Sequence, residues 1–338
     1  MDMHINNNNI CASDIKLNNE KGVCGKIAIV MMLVVLLAFS LQIVLSYVFI
    51  DEAASDKMLG AILISFFSMY IIALPAGALL LRIPAQERNI SDQLSAKKMI
   101  GFFFMMEGLA YIGNIMGTVL AMLFTGGNAQ NSVMTLATGE GHILLKTVCL
   151  VLLAPLLEEF VFRKLIIDST LKFSEKGTVI FSALVFSLYH VNLFQLFYTF
   201  GIGLLWGYIY LRTGKIRYSY VLHVILNFQG IIVSGLVLKF SQIETLLITN
   251  DSAEIETLII QNPEIIVGII IYALYAMLML AFSITGVILL IRNRKKWYFT
   301  DLKSINNADG ANKKMVLNVG MGIYGIVSLI LMVAGLMI

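Results

Sequence analysis

The sequence predicts an all-α, polytopic integral membrane protein with about eight or nine transmembrane helices. Three observations carry that expectation. Of 338 residues, 59% are hydrophobic and only 13% are charged, whereas a soluble domain is about 45–50% apolar and about 25% charged. The apolar residues fall in runs of the roughly 20 residues that a bilayer-spanning helix needs. Basic residues alternate between the connecting segments as the positive-inside rule requires.

Nine segments qualify, at 27–50, 58–81, 99–124, 142–167, 178–194, 195–212, 216–238, 264–291 and 315–338. They must be helical because lipid offers backbone polar groups no partners. The fifth and sixth are short, since both must fit between Lys176 and Arg212. Residues 1–26 read as a polar cytoplasmic tail and 27–338 as one helical domain. The stretch after Lys26 is long enough to span, unlike the short core of a cleaved secretory signal.

With the N-terminus in the cytoplasm, twenty Lys and Arg fall in cytoplasmic segments and only Lys57 and Lys239 outside, with Lys146 and Arg163 inside a span. That points to a multi-pass protein of the plasma membrane. The net charge of +3 gives no general attraction to nucleic acid, and the lipid bilayer is the expected surroundings. Cys11, Cys24 and Cys149 are odd in number and lack metal-ligand spacing, so no disulfide framework or zinc finger is expected.

Ionisable residues inside spans are costly and mark function. They cluster mid-chain. The fourth span holds Glu158-Glu159 and Arg163, the fifth Phe186 and His190, and the seventh His223 and Asn227. Glu159 and Arg163 are four apart on one helix face and can pair. Glu158 is rotated by about 100° from that face and is the better candidate for a carboxylate facing a cavity. His223 and Asn227, also four apart, can converge as two donors on one point, as a developing oxyanion requires.

Depth groups them further. Glu158 lies 16 residues before the polar turn near Ser174, and His190 lies 16 after it. Glu158 and His223 each sit about 13 Å from the nearer membrane edge at the helical rise per residue. All can meet in one layer of the cytoplasmic half. Taken singly, each has a plainer reading as a structural ion network or interhelical hydrogen bond. Lys146 is placed to snorkel, His142 to flank its span, and the aromatics of 194–200 to pack or face lipid.

The ordered set Glu-Glu-x-x-x-Arg, Phe-x-x-x-His and His-x-x-x-Asn resembles the CAAX protease and bacteriocin-processing family of intramembrane proteases, also called CPBP or Abi. That family includes the type II CAAX prenyl endopeptidases. The resemblance covers about residues 142–238 and implies an intramembrane endopeptidase acting on membrane-embedded or lipidated peptides. It implies that Glu158 activates water with help from His190, that Glu159 and Arg163 hold the glutamate helix, and that His223 and Asn227 stabilise the oxyanion, with Phe186 packed beside His190. Metal-dependent and metal-free mechanisms both stand for the family. Two histidines and a carboxylate, His190, His223 and Glu158, are a donor set for zinc. A proton-coupled transporter and a non-catalytic bacteriocin-immunity or sensor protein are the rival readings. The transporter finds no inverted repeats or paired broken helices.

Overall fold

The computed structural model describes residues 7–49, 56–81, 93–129, 131–139, 141–241, 252–297, 299 and 308–336, without the side chains of 7–20, 252–256, 308–309 and 311. His4, Arg82, Arg88 and Lys303, and the side chains of Cys11 and Lys16, lie outside the described residues. Every regular element among them is helical. In chain order these are α1 (Asn7–Val48), α2 (Lys57–Leu80), α3 (Ala96–Thr125), the short α4 (Ser132–Thr138), α5 (residues 143–170), α6 (Glu175–Tyr189), α7 (Leu193–Thr213), α8 (Ile216–Ser241), α9 (Ser252–Gln261), α10 (Glu264–Asn293), α11 (Ala308–Val316) and α12 (Val319–Gly335).

Among the described residues, six helices are long and apolar enough to cross a membrane: the Lys21–Val48 part of α1, then α2, α3, α7, α8 and α10 with its extension to Lys296. The other three expected spans are helical too but differ in kind. α5 carries Lys146, Glu158, Glu159, Arg163 and Lys164, α6 has 15 residues, and α12 has 17. Large apolar side chains such as Leu123, Leu144 and Phe240 point outward, exposed, as a lipid-facing surface demands. The boundary between the fifth and sixth segments is corrected. It falls at His190–Asn192, where Val191 adopts a left-handed φ of 45°, and not at 194–195. The Asn192 side chain caps α7 by accepting from the Phe194 N–H.

The segment between α3 and α5, expected as an outer loop, folds back onto the bundle. Its α4 packs so closely on α8 that a Cβ on Gly235 would lie 2.1 Å from the Ala137 carbonyl oxygen. Beside it, His142 Nε2 lies 2.6 Å from Asp56 Oδ2, flanking its span as expected. The Leu59 N–H and His142 together hold the Asp56 carboxyl below its ordinary pKa. Lys146 is not a snorkelling residue. It is buried, and its Nζ donates to the Gly139 carbonyl at 2.6 Å, because α4 covers the position from which it would reach water.

Two helices widen into π turns just before a proline. The turn Phe67–Ala73 precedes Pro75 and the turn Thr147–Leu153 precedes Pro155. Proline lacks the N–H for the regular ladder and its ring crowds the preceding turn, which a wider turn relieves. Two further π turns, Phe160–Ile167 and Phe228–Val233, begin immediately after Glu159 and after Asn227.

Small residues let α3 sit against both neighbours, the usual device where lipid supplies no hydrophobic drive between helices. A Cβ on Gly113 would lie 2.4 Å from the Tyr198 backbone of α7, one on Gly117 2.6 Å from the Phe194 carbonyl, and one on Gly286 of α10 1.8 Å from the Phe104 carbonyl. Backbone cannot yield as a flexible side chain does. Gly286→Ala is therefore expected to destabilise the protein by about 1–3 kcal/mol, read as a lowered melting temperature in detergent. Gly322→Ala, where nothing lies within 4 Å, is expected to melt like the parent.

Candidate active site

Three of the π turns, at 67–73, 147–153 and 228–233, contribute to the lining of one cavity of about 750 Å3, and Glu158, His190, His223 and Asn227 all line it. The four residues that sequence depth puts in one layer share this cavity. Each is held differently.

The glutamate pair is buried on α5. Glu159 turns away from the cavity into an ion network: its Oε2 lies 3.2 Å from Arg163 Nε and its Oε1 lies 3.2 Å from His223 Nδ1. Arg163 is fully buried, and its Nη1 donates to Ser182 Oγ on α6 at 3.4 Å. Ser182 in turn donates to the Phe162 carbonyl at 2.7 Å, tying α6 back to α5. The guanidinium lies over the Phe186 ring at 4.7 Å and faces Trp206 at 5.8 Å. These aromatic faces supply part of the stabilisation that water would give in a wet site.

Glu158 faces the cavity. Its Oε1 accepts from the Tyr70 hydroxyl of α2 at 2.5 Å, and its Oε2 lies 3.5 Å from His223 Nε2. His223 thus bridges both glutamates, and its ring lies against the Trp206 indole, 4.5 Å between centroids with 32° between planes.

His190 is the C-cap residue of α6, not a mid-span residue. Its Nδ1 is 2.8 Å from the Phe186 carbonyl. A carbonyl only accepts, so Nδ1 carries a proton, and in the neutral ring Nε2 keeps its lone pair. The Phe186 ring stands edge-on to His190 at 4.7 Å, the packing that the motif implies. Asn227 donates one amide hydrogen through Nδ2 to the Leu150 carbonyl at 2.9 Å and retains a second. The Leu150 position belongs to the π turn before Pro155.

Many lining groups have no place in the motifs, and among the polar ones are three from different helices. Tyr70 comes from α2, Glu107 from α3, and the Gln195–Tyr198 pair, joined at 2.7 Å, from α7. Tyr198 corrects the expectation that the aromatics of 194–200 only pack or face lipid. An ionisable residue inside an apolar run was the available signal for Glu107. Nothing in local spacing marks Tyr70.

Glu158, His190 and His223, the donor set for zinc, share this cavity. Among the described residues, however, no three His, Cys, Asp or Glu side chains are gathered as one ion would need. Glu158 engages Tyr70 and His223, while His190 turns Nδ1 to backbone. As arranged, the three donors are not gathered around one point.

Residues 140–229 match the family model described as Type II CAAX prenyl endopeptidase Rce1-like. This stretch takes in α5, α6, α7 and the first half of α8, and it carries all three motifs. No curated protein and no solved structure matches the chain. At family level the match supports a membrane endopeptidase of CAAX type.

Removing Arg163 strands Glu159 in a site without water. Arg163→Ala is expected to cost about 3–5 kcal/mol, seen as poor yield and early melting. Adding Glu159→Gln should restore part of the loss by removing the stranded charge, a coupling that a double-mutant cycle reads directly.

Proposed function

We propose that the protein hydrolyses peptide bonds of membrane-embedded or lipidated substrates at this cavity, by direct glutamate activation of water. The observation that supports this best is the juxtaposition of a cavity-facing Glu158 with His190, His223 and Asn227 in one cavity. The N-terminus-inside orientation puts that space in the cytoplasmic half of the membrane, within reach of the C-terminal segments of lipidated proteins.

The chemistry follows from the hydrogen-bond assignments. Glu158 takes a proton from the attacking water as the water oxygen bonds to the scissile carbonyl carbon. His190, with its Nε2 lone pair, accepts the water's other hydrogen and orients the attack. The carbonyl oxygen becomes an oxyanion. Two donors answer it: His223 in its doubly protonated form, with Nδ1–H held by Glu159 and Nε2–H aimed at the oxyanion, and Asn227 through its second amide hydrogen. On collapse the C–N bond breaks and Glu158 returns its proton to the leaving amine. Tyr70 fixes the Glu158 rotamer by donating to Oε1. Glu159 and Arg163 touch no reacting atom; they hold His223 and the α5 backbone in register.

Purified protein in liposomes should cleave apolar membrane peptides. Glu158→Gln and His223→Ala should each lower kcat/KM by at least about 10²-fold, the usual scale for losing a general base or an oxyanion donor. Cleavage unchanged in both variants would end this mechanism. Treatment with a strong zinc chelator should leave the rate unaltered. Loss of activity on chelation, restored by added zinc, would replace glutamate catalysis with a metal-bound form.

A further inference from the structure

Glu107 is the one cavity carboxyl that the proposed reaction leaves unused. It sits on α3, buried, with 7% of its surface exposed. It lines the same cavity as Glu158. Its Oε1 has no hydrogen-bond partner among the described residues, and the carboxyl's one side-chain hydrogen-bonding neighbour there is the neutral Gln229 amide of α8. No Lys, Arg or His among the described residues forms an ion pair with it, in contrast to Glu159. A carboxyl buried without a counter-charge either takes up a proton or meets a cation, because the bare carboxylate costs several kcal/mol. It persists where something offsets that cost.

Its placement is fixed by backbone. Gly108, the next residue, sits so close to α10 that a Cβ there would lie 2.9 Å from the Val287 amide nitrogen. The Ser283 hydroxyl donates to the Glu107 carbonyl at 3.4 Å. The side chain is thus aimed into the cavity by two tightly packed helices. A group placed only to satisfy packing would not need to be acidic.

We propose that Glu107 is a recognition carboxylate for a cationic side chain of the substrate, a Lys or Arg near the scissile bond. This deepens the endopeptidase reading and rests on it. An otherwise apolar membrane peptide carries such a cation into the bilayer at a cost. Meeting Glu107 offsets the cost for both charges at once and fixes the peptide's register relative to Glu158. Because the two carboxyls share one cavity, the cation and the scissile bond belong to the same bound segment.

The test separates binding from cleavage. Full-length Glu158→Gln protein in nanodiscs is titrated with fluorescent apolar 20-residue peptides. Each carries one lysine at a stepped position, or norleucine there instead, which keeps the length and removes the charge. One lysine position should bind at least about tenfold tighter than its norleucine counterpart, the scale of a buried charge contact. Glu107→Gln in the same background should erase that difference while leaving norleucine affinity unchanged. Equal binding of every lysine and norleucine pair to the Glu158→Gln protein overturns the proposal without any Glu107 variant. A lysine preference that survives Glu107→Gln in a normally melting protein overturns it as well. Because the readout is affinity in a protein lacking Glu158, failure of the hydrolytic mechanism in the cleavage assay leaves this result interpretable by itself.

Discussion

A buried charge network spanning three helices, Glu159–Arg163 with His223, holds the centre of this protein together. Charges taken from water into a low-dielectric interior cost several kcal/mol each unless geometry and hydrogen bonds compensate. Here the compensation comes from three elements: α5 gives both ions, α6 gives Ser182 and the Phe186 ring, and α8 gives His223. None of these helices can shift without exposing a charge to apolar surroundings. The network therefore sets the helix register on which the cavity geometry depends. Its outer face fixes the packing, and its inner face, through the two nitrogens of His223, connects to Glu158.

The bilayer imposes the rest. Helices must satisfy their own backbone, so an all-α bundle follows from apolarity alone. Cavities in such a bundle need irregularity, and here it comes from π turns placed around the site. Those before Pro75 and Pro155 carry Tyr70 and Leu150, which meet Glu158 and Asn227. Those after Glu159 and Asn227 follow the functional residues directly. Local departures from regular helix thus position the polar groups, a common use of π turns. Glycines on α3 and α10 close the opposite wall by bringing backbones together.

Much of this was legible in the residues. Apolar runs mark the helices, since lipid leaves little choice of secondary structure. The i to i+4 spacing of Glu159 with Arg163 correctly signals an ion pair, because both ends of that contact lie on one helix. Counting outward from Ser174 puts Glu158 and His190 at one height, and the two line one cavity. What sequence spacing could not reach were contacts between distant helices. Tyr70 finds Glu158 across 88 positions, and Glu107 enters the cavity through packing of α3 on α10. The inward fold of α4 escaped as well, because a short polar–apolar segment between spans looks like any outer loop. That fold is what buries Lys146. His190 fell within an apolar run and looked mid-helical. The left-handed Val191 that ends α6 there is a conformation no β-branched residue advertises.

The account stands on Glu158 acting on water rather than on the substrate itself. Single-turnover cleavage in water enriched in oxygen-18 separates these two courses. Direct water activation predicts one heavy oxygen in the new carboxyl terminus of the product and none in the enzyme, whereas heavy oxygen appearing in the Glu158 side chain would show that the glutamate had attacked the carbonyl and would contradict the account.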